Sequence, residues 1–152
     1  MTDPQRRVAE RRALQALDAV YRDVESLQAG WGCARSGECC QLAKTGREPY
    51  AWTVEWLRVR AALERSGRPI PPAREDGACP LLNETGGCSI YADRPLGCRT
   101  FFCERGHGPK KITREMITAR MVKVEALAQM LEPDESAPRR LVDWLREAAH
   151  AP

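Results

Sequence analysis

Seven cysteines lie in the middle of this 152-residue sequence, and their type and spacing suit them to a chemical role. They follow the order Cys33-x5-Cys39-Cys40 and then Cys79-x8-Cys88-x9-Cys98-x4-Cys103. Because seven is odd, the cysteines cannot all pair in disulfides within one chain. Grouped thiolates are the ligands of zinc and of iron–sulfur clusters, so we expect all seven cysteines to form a metal-binding region.

The number of cysteines leaves open whether the chain holds one metal centre or two. One zinc ion or one cubane cluster takes four cysteines, so either some thiols are spare or two centres share the set. Side chains of neighbours such as Cys39 and Cys40 point to opposite faces of an extended segment and diverge by about 100° in a helical turn. One tetrahedral ion therefore seldom takes both. Sulfur ligands suit zinc and iron alike, so they do not choose the metal.

Charge and hydropathy exclude some classes of partner. The 24 Lys and Arg residues against 21 Asp and Glu residues give a net charge of +3, too small to predict binding of nucleic acid. No stretch approaches the ~20 apolar residues that a membrane span needs. The first residues include no apolar secretory segment, so we expect a reducing cytoplasm, where clustered cysteines bind metal more often than they pair. We expect a protein partner, which the sequence does not identify.

The elements that position the cysteines are predicted to be mostly helical. Apolar residues at spacings of three and four predict an N-terminal helix over about 4–29 and a second helix from Thr53 to about Gly67. Two more helices are predicted within 112–150, the first capped by Thr113 and the last by Ser136. We expect the terminal helices to pack on one another.

Glycine and proline are frequent in residues 31–50 and 67–110, so the cysteine region, residues 31–105, is predicted to be mostly loop outside the second helix. Residues 79–82 and 88–91 are predicted to form a short β-hairpin around the turn 83–87. Ordering such a chain costs about 1–2 kcal/mol per residue, which metal–thiolate bonds could offset. The predicted fold is mainly α with irregular loops. A cysteine-rich metal-binding core with one short hairpin is flanked by three to four helices, in a single domain over 1–152.

The cysteine region also resembles a known family. The likeness is carried by Cys39-Cys40, Cys79-Pro80-Leu81, Cys88-x-Ile90-Tyr91, Arg94-Pro95-x2-Cys98-Arg99 and Cys103. These motifs are similar to those of the YkgJ-type cysteine-cluster proteins over about residues 31–105. The resemblance implies a zinc- or iron-chelating domain, and such proteins are often labelled iron–sulfur oxidoreductases.

One position departs from the pattern of that family. The family opens with Cys-x2-Cys-x2-Cys-Cys, and Ser36 stands here in place of the second cysteine. Serine is a poor ligand for zinc or iron, so a water, Ser36 itself or His107 is left to fill the position. His107 lies four residues after Cys103, a spacing compatible with ligation, although the sequence fits an exposed loop histidine better.

Three functions are compatible with these residues. The leading hypothesis is a metal-binding protein whose cysteines hold an iron–sulfur cluster, of the 4Fe-4S type, or zinc, with a role in electron transfer, redox sensing or metal handling. The alternative is a structural zinc module that presents its helices to a protein partner. The third is a metal-dependent enzyme of unknown substrate, with Cys103 and His107 as nucleophile and base or with substrate at the position left by Ser36.

Overall fold

Helices form most of the regular structure of the chain, and the computed structural model describes residues 1–33, 35–101, 108–109 and 111–152. The elements, in chain order, are α1 (Asp3–Leu27), α2 (Leu42–Thr45), β1 (Tyr50–Ala51), α3 (Thr53–Arg65), α4 (Leu96–Arg99), α5 (Arg114–Leu131), β2 (Arg139–Arg140) and α6 (Leu141–Ala149). Two 3₁₀ turns, Glu38–Cys40 and Tyr91–Asp93, lie in the cysteine region. The prediction of a mainly α fold is confirmed. In the described part of the chain, every helix is too short or too polar to cross a membrane.

The N-terminal helix α1 lies within two residues of its predicted bounds. The Thr2 backbone N–H donates to Gln5 Oε1 at 2.9 Å, which satisfies one donor of the first turn. Pro4 lies in that turn, where it displaces no helical hydrogen bond. The buried residues recur at helical spacing along one face, and they are Ala13, Leu17, Val20, Tyr21 and Val24.

Helices α1, α3 and α5 pack on one another around a first hydrophobic core. The second half of α5 contributes three buried residues to this core, Val124, Ala128 and Leu131. Thr113 caps α5 as predicted, because its side chain accepts a hydrogen bond from the Met116 backbone N–H. The side chains of Met116 and Met121 in α5 lie outside this core and are 38% and 40% exposed. Some apolar residues of α5 therefore face the surface.

A second hydrophobic core lies on the other face of α3 and contains residues of α6 and of the cysteine region. Trp56 of α3 stacks on Trp144 of α6, with ring centroids 5.6 Å apart. Leu141 and Leu145 of α6 are buried in the same core. The predicted packing between terminal helices is thus found for α1 with α5, whereas α6 packs against α3 and the cysteine region.

The two-stranded antiparallel sheet joins β1 to β2, with Tyr50 opposite Arg140 and Ala51 opposite Arg139. Because residues 139–140 pair in this sheet, α6 begins at Leu141 and not near Ser136 as predicted. The predicted hairpin contributes a single antiparallel bridge between Leu82 and Cys88. Its turn is closed by the Asn83 backbone N–H, which donates to the Gly87 carbonyl at 2.8 Å.

Candidate metal centre

Six of the seven cysteines line one cavity of about 190 Å³, which we refer to as the sulfur cavity. They are Cys33, Cys39, Cys40, Cys79, Cys88 and Cys98, and all six are free thiols. The remaining candidates, Cys103 and His107, lie outside the described residues. All of the predicted cysteine ligands that the structure describes therefore surround a common space, although they are far apart in the sequence.

Short backbone contacts hold the cysteine segments together. The Cys79 backbone N–H donates to the Cys40 carbonyl at 2.7 Å, so these two cysteines lie side by side. Cys88 is held by its bridge to Leu82, and Cys98 belongs to α4. Leu141, the first residue of α6, also lines the cavity, so the wall includes part of the C-terminal helix.

Gly37 allows the loop before Cys39 to lie directly on the turn before Cys88. Its φ of +72° is left-handed, and a Cβ at this position would overlap the Gly86 carbonyl oxygen. Glycine is the residue that tolerates both the backbone angle and the close approach. The distances between the cysteine side chains therefore depend on glycine at position 37.

Cys40 is the sulfur that three other thiols contact, those of Cys39, Cys79 and Cys88. Its hydrogen bonds lower the pKa of Cys39 to about 6 and the pKa of Cys88 to about 7. They also lower the pKa of Cys79. The pKa of Cys40 is raised, first by its hydrogen bond with Cys39 and then by those with Cys79 and Cys88. The neighbours Cys39 and Cys40 thus contact each other and line the same cavity, although adjacent side chains ordinarily diverge.

The other two described cysteines differ from this group. Desolvation raises the pKa of Cys98 to about 12, and the nearby Arg47 charge opposes that shift. Cys33 is exposed at the open end of the cavity, beside Arg35 and Ser36. Among the residues that the structure describes, no three Cys, His, Asp or Glu side chains are already arranged as the ligands of a single ion.

The cavity is lined by arginines as well as thiols, and none of the described residues in its lining is a carboxylate. Arg35, Arg47 and Arg94 line it together with the cysteines. The charges of Arg47 and Arg94 contribute to the lowered pKa of Cys39, after the hydrogen bond from Cys40. Arg94 belongs to the family-like motif, whereas Arg35 and Arg47 were not predicted to lie at the site. Their position inside the cysteine region was the available signal, because cations near thiolates offset the negative charge.

Arg99, the last residue of the motif Arg94-Pro95-x2-Cys98-Arg99, is buried beneath the 3₁₀ turn at residues 91–93. Its Nη2 donates to the Ala92 carbonyl at 2.6 Å, and its Nε donates to the Arg94 carbonyl at 3.2 Å. The guanidinium lies 4.0 Å from the centroid of the Tyr21 ring. Arg99 therefore supports the segment that carries Arg94 and does not line the cavity.

A family model described as "CxxCxxCC: Putative zinc- or iron-chelating domain" matches residues 32–125, which is more than half of the chain. The chain belongs to this family. The matched region contains all seven cysteines and the segments that surround the sulfur cavity. In the CxxCxxCC motif of the family, the second cysteine corresponds to Ser36 of this chain, which lies on the cavity wall. No curated protein and no solved structure matches the chain.

Proposed function

We propose that the cysteines hold an iron–sulfur cluster of the 4Fe-4S type and that the protein acts in electron transfer or another redox role. The observation that carries the proposal is the cavity of about 190 Å³ among six free thiols. A zinc ion bound by four thiolates at ~2.3 Å leaves no such space between its ligands. A cluster of several iron and sulfide ions needs this space, and cysteine thiolates are its ordinary ligands.

The residues that line the cavity fit such a group. Cys39, Cys79 and Cys88 each contact Cys40, and all six thiols that line the cavity are candidate ligands. Cys103 is a further candidate. When bound, the cluster would accept or release one electron, and the guanidinium of Arg47 beside the thiolates would stabilise the more negative state.

The open end of the cavity supports a role in electron transfer to another protein. Cys33 and Ser36 are exposed there, so a bound cluster would lie near the protein surface. A partner that approached this end would come close to the cluster without any rearrangement of the helices. We therefore place the expected protein partner at the Cys33–Ser36 end.

A structural zinc ion is the second candidate, and one observation favours it. The thiols of Cys39, Cys79 and Cys88 all contact Cys40, and together with Cys40 they make four, the number of ligands that one tetrahedral zinc ion takes. Zinc there would order the loops of the cysteine region and leave α1 and α5 available to a partner. Chelation should then unfold the cysteine region, because metal binding and folding are coupled in such sites.

Elemental analysis of protein purified without oxygen tests both candidates. The proposal predicts iron and acid-labile sulfide in similar amounts, a brown colour, and loss of the visible absorption when dithionite is added. Zinc at one ion per chain without iron would overturn the cluster and support the structural module. Protein that binds neither metal after anaerobic reconstitution would overturn both.

A further inference from the structure

Three guanidinium groups surround the open end of the sulfur cavity. Arg47 and Arg94 are held in place by backbone carbonyls, which fixes where their remaining N–H groups point. Arg47 Nη1 donates to the Cys39 carbonyl at 2.6 Å, and its guanidinium lies 3.9 Å from the centroid of the Phe101 ring. Arg94 Nε donates to the Tyr91 carbonyl at 2.8 Å. Both guanidiniums are therefore ordered before any ligand binds.

Arg35 completes the group from the opposite side of the Tyr91 ring. Its guanidinium carbon lies 4.2 Å from the ring centroid, and that of Arg94 lies 3.7 Å from it. Two guanidiniums this close to one centroid must lie on opposite faces of the ring. Arg35 also has a φ of +50°, an uncommon conformation for a residue with a side chain. The backbone of Arg35 is therefore in an unfavourable conformation, at the residue that brings this cation to the cavity.

The donors of these arginines exceed the acceptors that surround them. A guanidinium has five N–H donors. Within the described parts of the chain, the Arg35 guanidinium and Arg94 Nη2 have no hydrogen-bond acceptor, and none of the residues that line the cavity is a carboxylate. Arg35 and Arg94 lie within about 8 Å of each other across the Tyr91 ring, so their charges repel. An anion bound at the open end of the cavity, which Arg35, Arg47 and Arg94 all line, would offset this repulsion and accept from the free donors.

We propose that Arg35, Arg47 and Arg94 form an oxyanion site at the open end of the sulfur cavity, which binds the carboxylate or phosphate group of a small molecule. Arginine forks match the geometry of these groups and bind them through paired, charge-assisted hydrogen bonds. The inference rests on the proposed function, because it names a ligand for the same cavity. Four thiolates and one zinc ion, or four thiolates and a 2+ cluster core, carry a net charge of −2, whereas the three guanidiniums carry +3, so the loaded cavity still attracts an anion.

Ser36 connects this site with the proposed metal centre, because it lines the same cavity as the thiols and the arginines. Ser36 lines the cavity beside Arg35, at the position where the family motif has a cysteine. A serine there removes one strong sulfur ligand and the negative charge that it would bring. A metal bound in the cavity would therefore have one sulfur ligand fewer on this side, and an oxyanion held by the arginines could serve as an exchangeable ligand.

Titration calorimetry on metal-loaded protein tests the site. Inorganic phosphate and sodium acetate are titrated separately, at constant ionic strength set with sodium chloride, and the metal content of each sample is measured first. We expect one saturable site for at least one of the two anions, and the anion that binds identifies the class of ligand. Arg35→Gln should weaken that binding by about tenfold or more, because it removes the guanidinium whose N–H groups have no other acceptor among the described residues.

Two further variants separate a built site from general attraction. Arg35→Lys keeps the charge and removes the fork, so its affinity should lie between those of the wild type and of Arg35→Gln. Arg12→Gln removes one positive charge from an exposed position of α1 and should bind as the wild type does. Equal weakening by Arg12→Gln and Arg35→Gln would overturn the site.

Metal content distinguishes the two proposals. Metal-loaded protein that binds neither phosphate nor acetate would overturn the oxyanion site and leave the proposed function standing. Protein that cannot be loaded with metal would instead overturn the proposed function.

Discussion

The Tyr21 hydroxyl donates a 2.9 Å hydrogen bond to Glu55 Oε1 where α1 meets α3. The same oxygen accepts a 2.6 Å hydrogen bond from the Leu96 backbone N–H at the start of α4, and Oε2 accepts one of 3.1 Å from the Trp52 backbone N–H. Glu55 is fully buried. One carboxylate therefore connects two long helices to the short helix that carries Cys98.

Substitution of Glu55 by glutamine is expected to destabilise the protein by about 1–3 kcal/mol, because the amide can serve as an acceptor on one side only and leaves a buried N–H without a partner. Urea unfolding of metal-loaded protein measures the change. Glu64→Gln, an exposed position on the same helix, is the matched control and should change the free energy of unfolding by less than about 0.5 kcal/mol. Equal stability of Glu55→Gln and the wild type would contradict the role of this carboxylate.

Glu55 should also make stability depend on pH. Burial raises the pKa of Glu55 above its ordinary value of 4.5, and three hydrogen bonds only partly oppose the shift. Above pH 4.5 the unfolded chain releases this proton while the folded chain retains it, so the contribution of Glu55 to stability falls as the pH rises towards the raised pKa and is constant beyond it. The free energy of unfolding of the wild type minus that of Glu55→Gln, measured from pH 4.5 upwards, should therefore decrease. A difference that increases with pH would refute this assignment.

The four longer helices and the gathering of the cysteines could be predicted from the sequence, because each depends on a local signal, whereas the short helices α2 and α4 were not predicted. Apolar periodicity located α1, and thiols grouped in a segment poor in apolar residues predicted a common site. Glu55 gave no such signal, since a glutamate in an amphipathic helix ordinarily faces water. The pairing of Tyr50 with Arg140 was missed for a related reason: neither strand exceeds two residues, so no alternating pattern exists to be recognised.

The contact at Gly37 predicts an unequal effect of two similar substitutions. Gly37 and Gly46 have φ angles of +72° and +68°, so alanine costs about 1–2 kcal/mol at either position. Only at Gly37 would the new methyl group overlap a neighbour, the Gly86 carbonyl, whereas Gly46 faces open space. Gly37→Ala should therefore lower both the melting temperature and the bound metal more than Gly46→Ala does. Identical behaviour of the two variants would mean that the loop can move away from the turn without consequence.

The arrangement of thiols predicts which cysteine matters most for metal binding. Cys40 contacts three other thiols, whereas Cys33 is exposed at the open end of the cavity. Cys40→Ser should abolish stoichiometric metal binding, and Cys33→Ser should retain most of it. Metal per chain, measured after anaerobic reconstitution of both variants, provides the test. Greater loss in Cys33→Ser would move the centre towards the exposed end.

The participation of Leu141 in the cavity wall has a consequence for biogenesis. Proteins are synthesised from the N-terminus, so every cysteine leaves the ribosome before the residues of β2 and α6 that complete the enclosure. The thiols must therefore remain reduced and unshielded during translation. A cofactor that requires the finished wall can be inserted only once residue 141 has emerged from the ribosome.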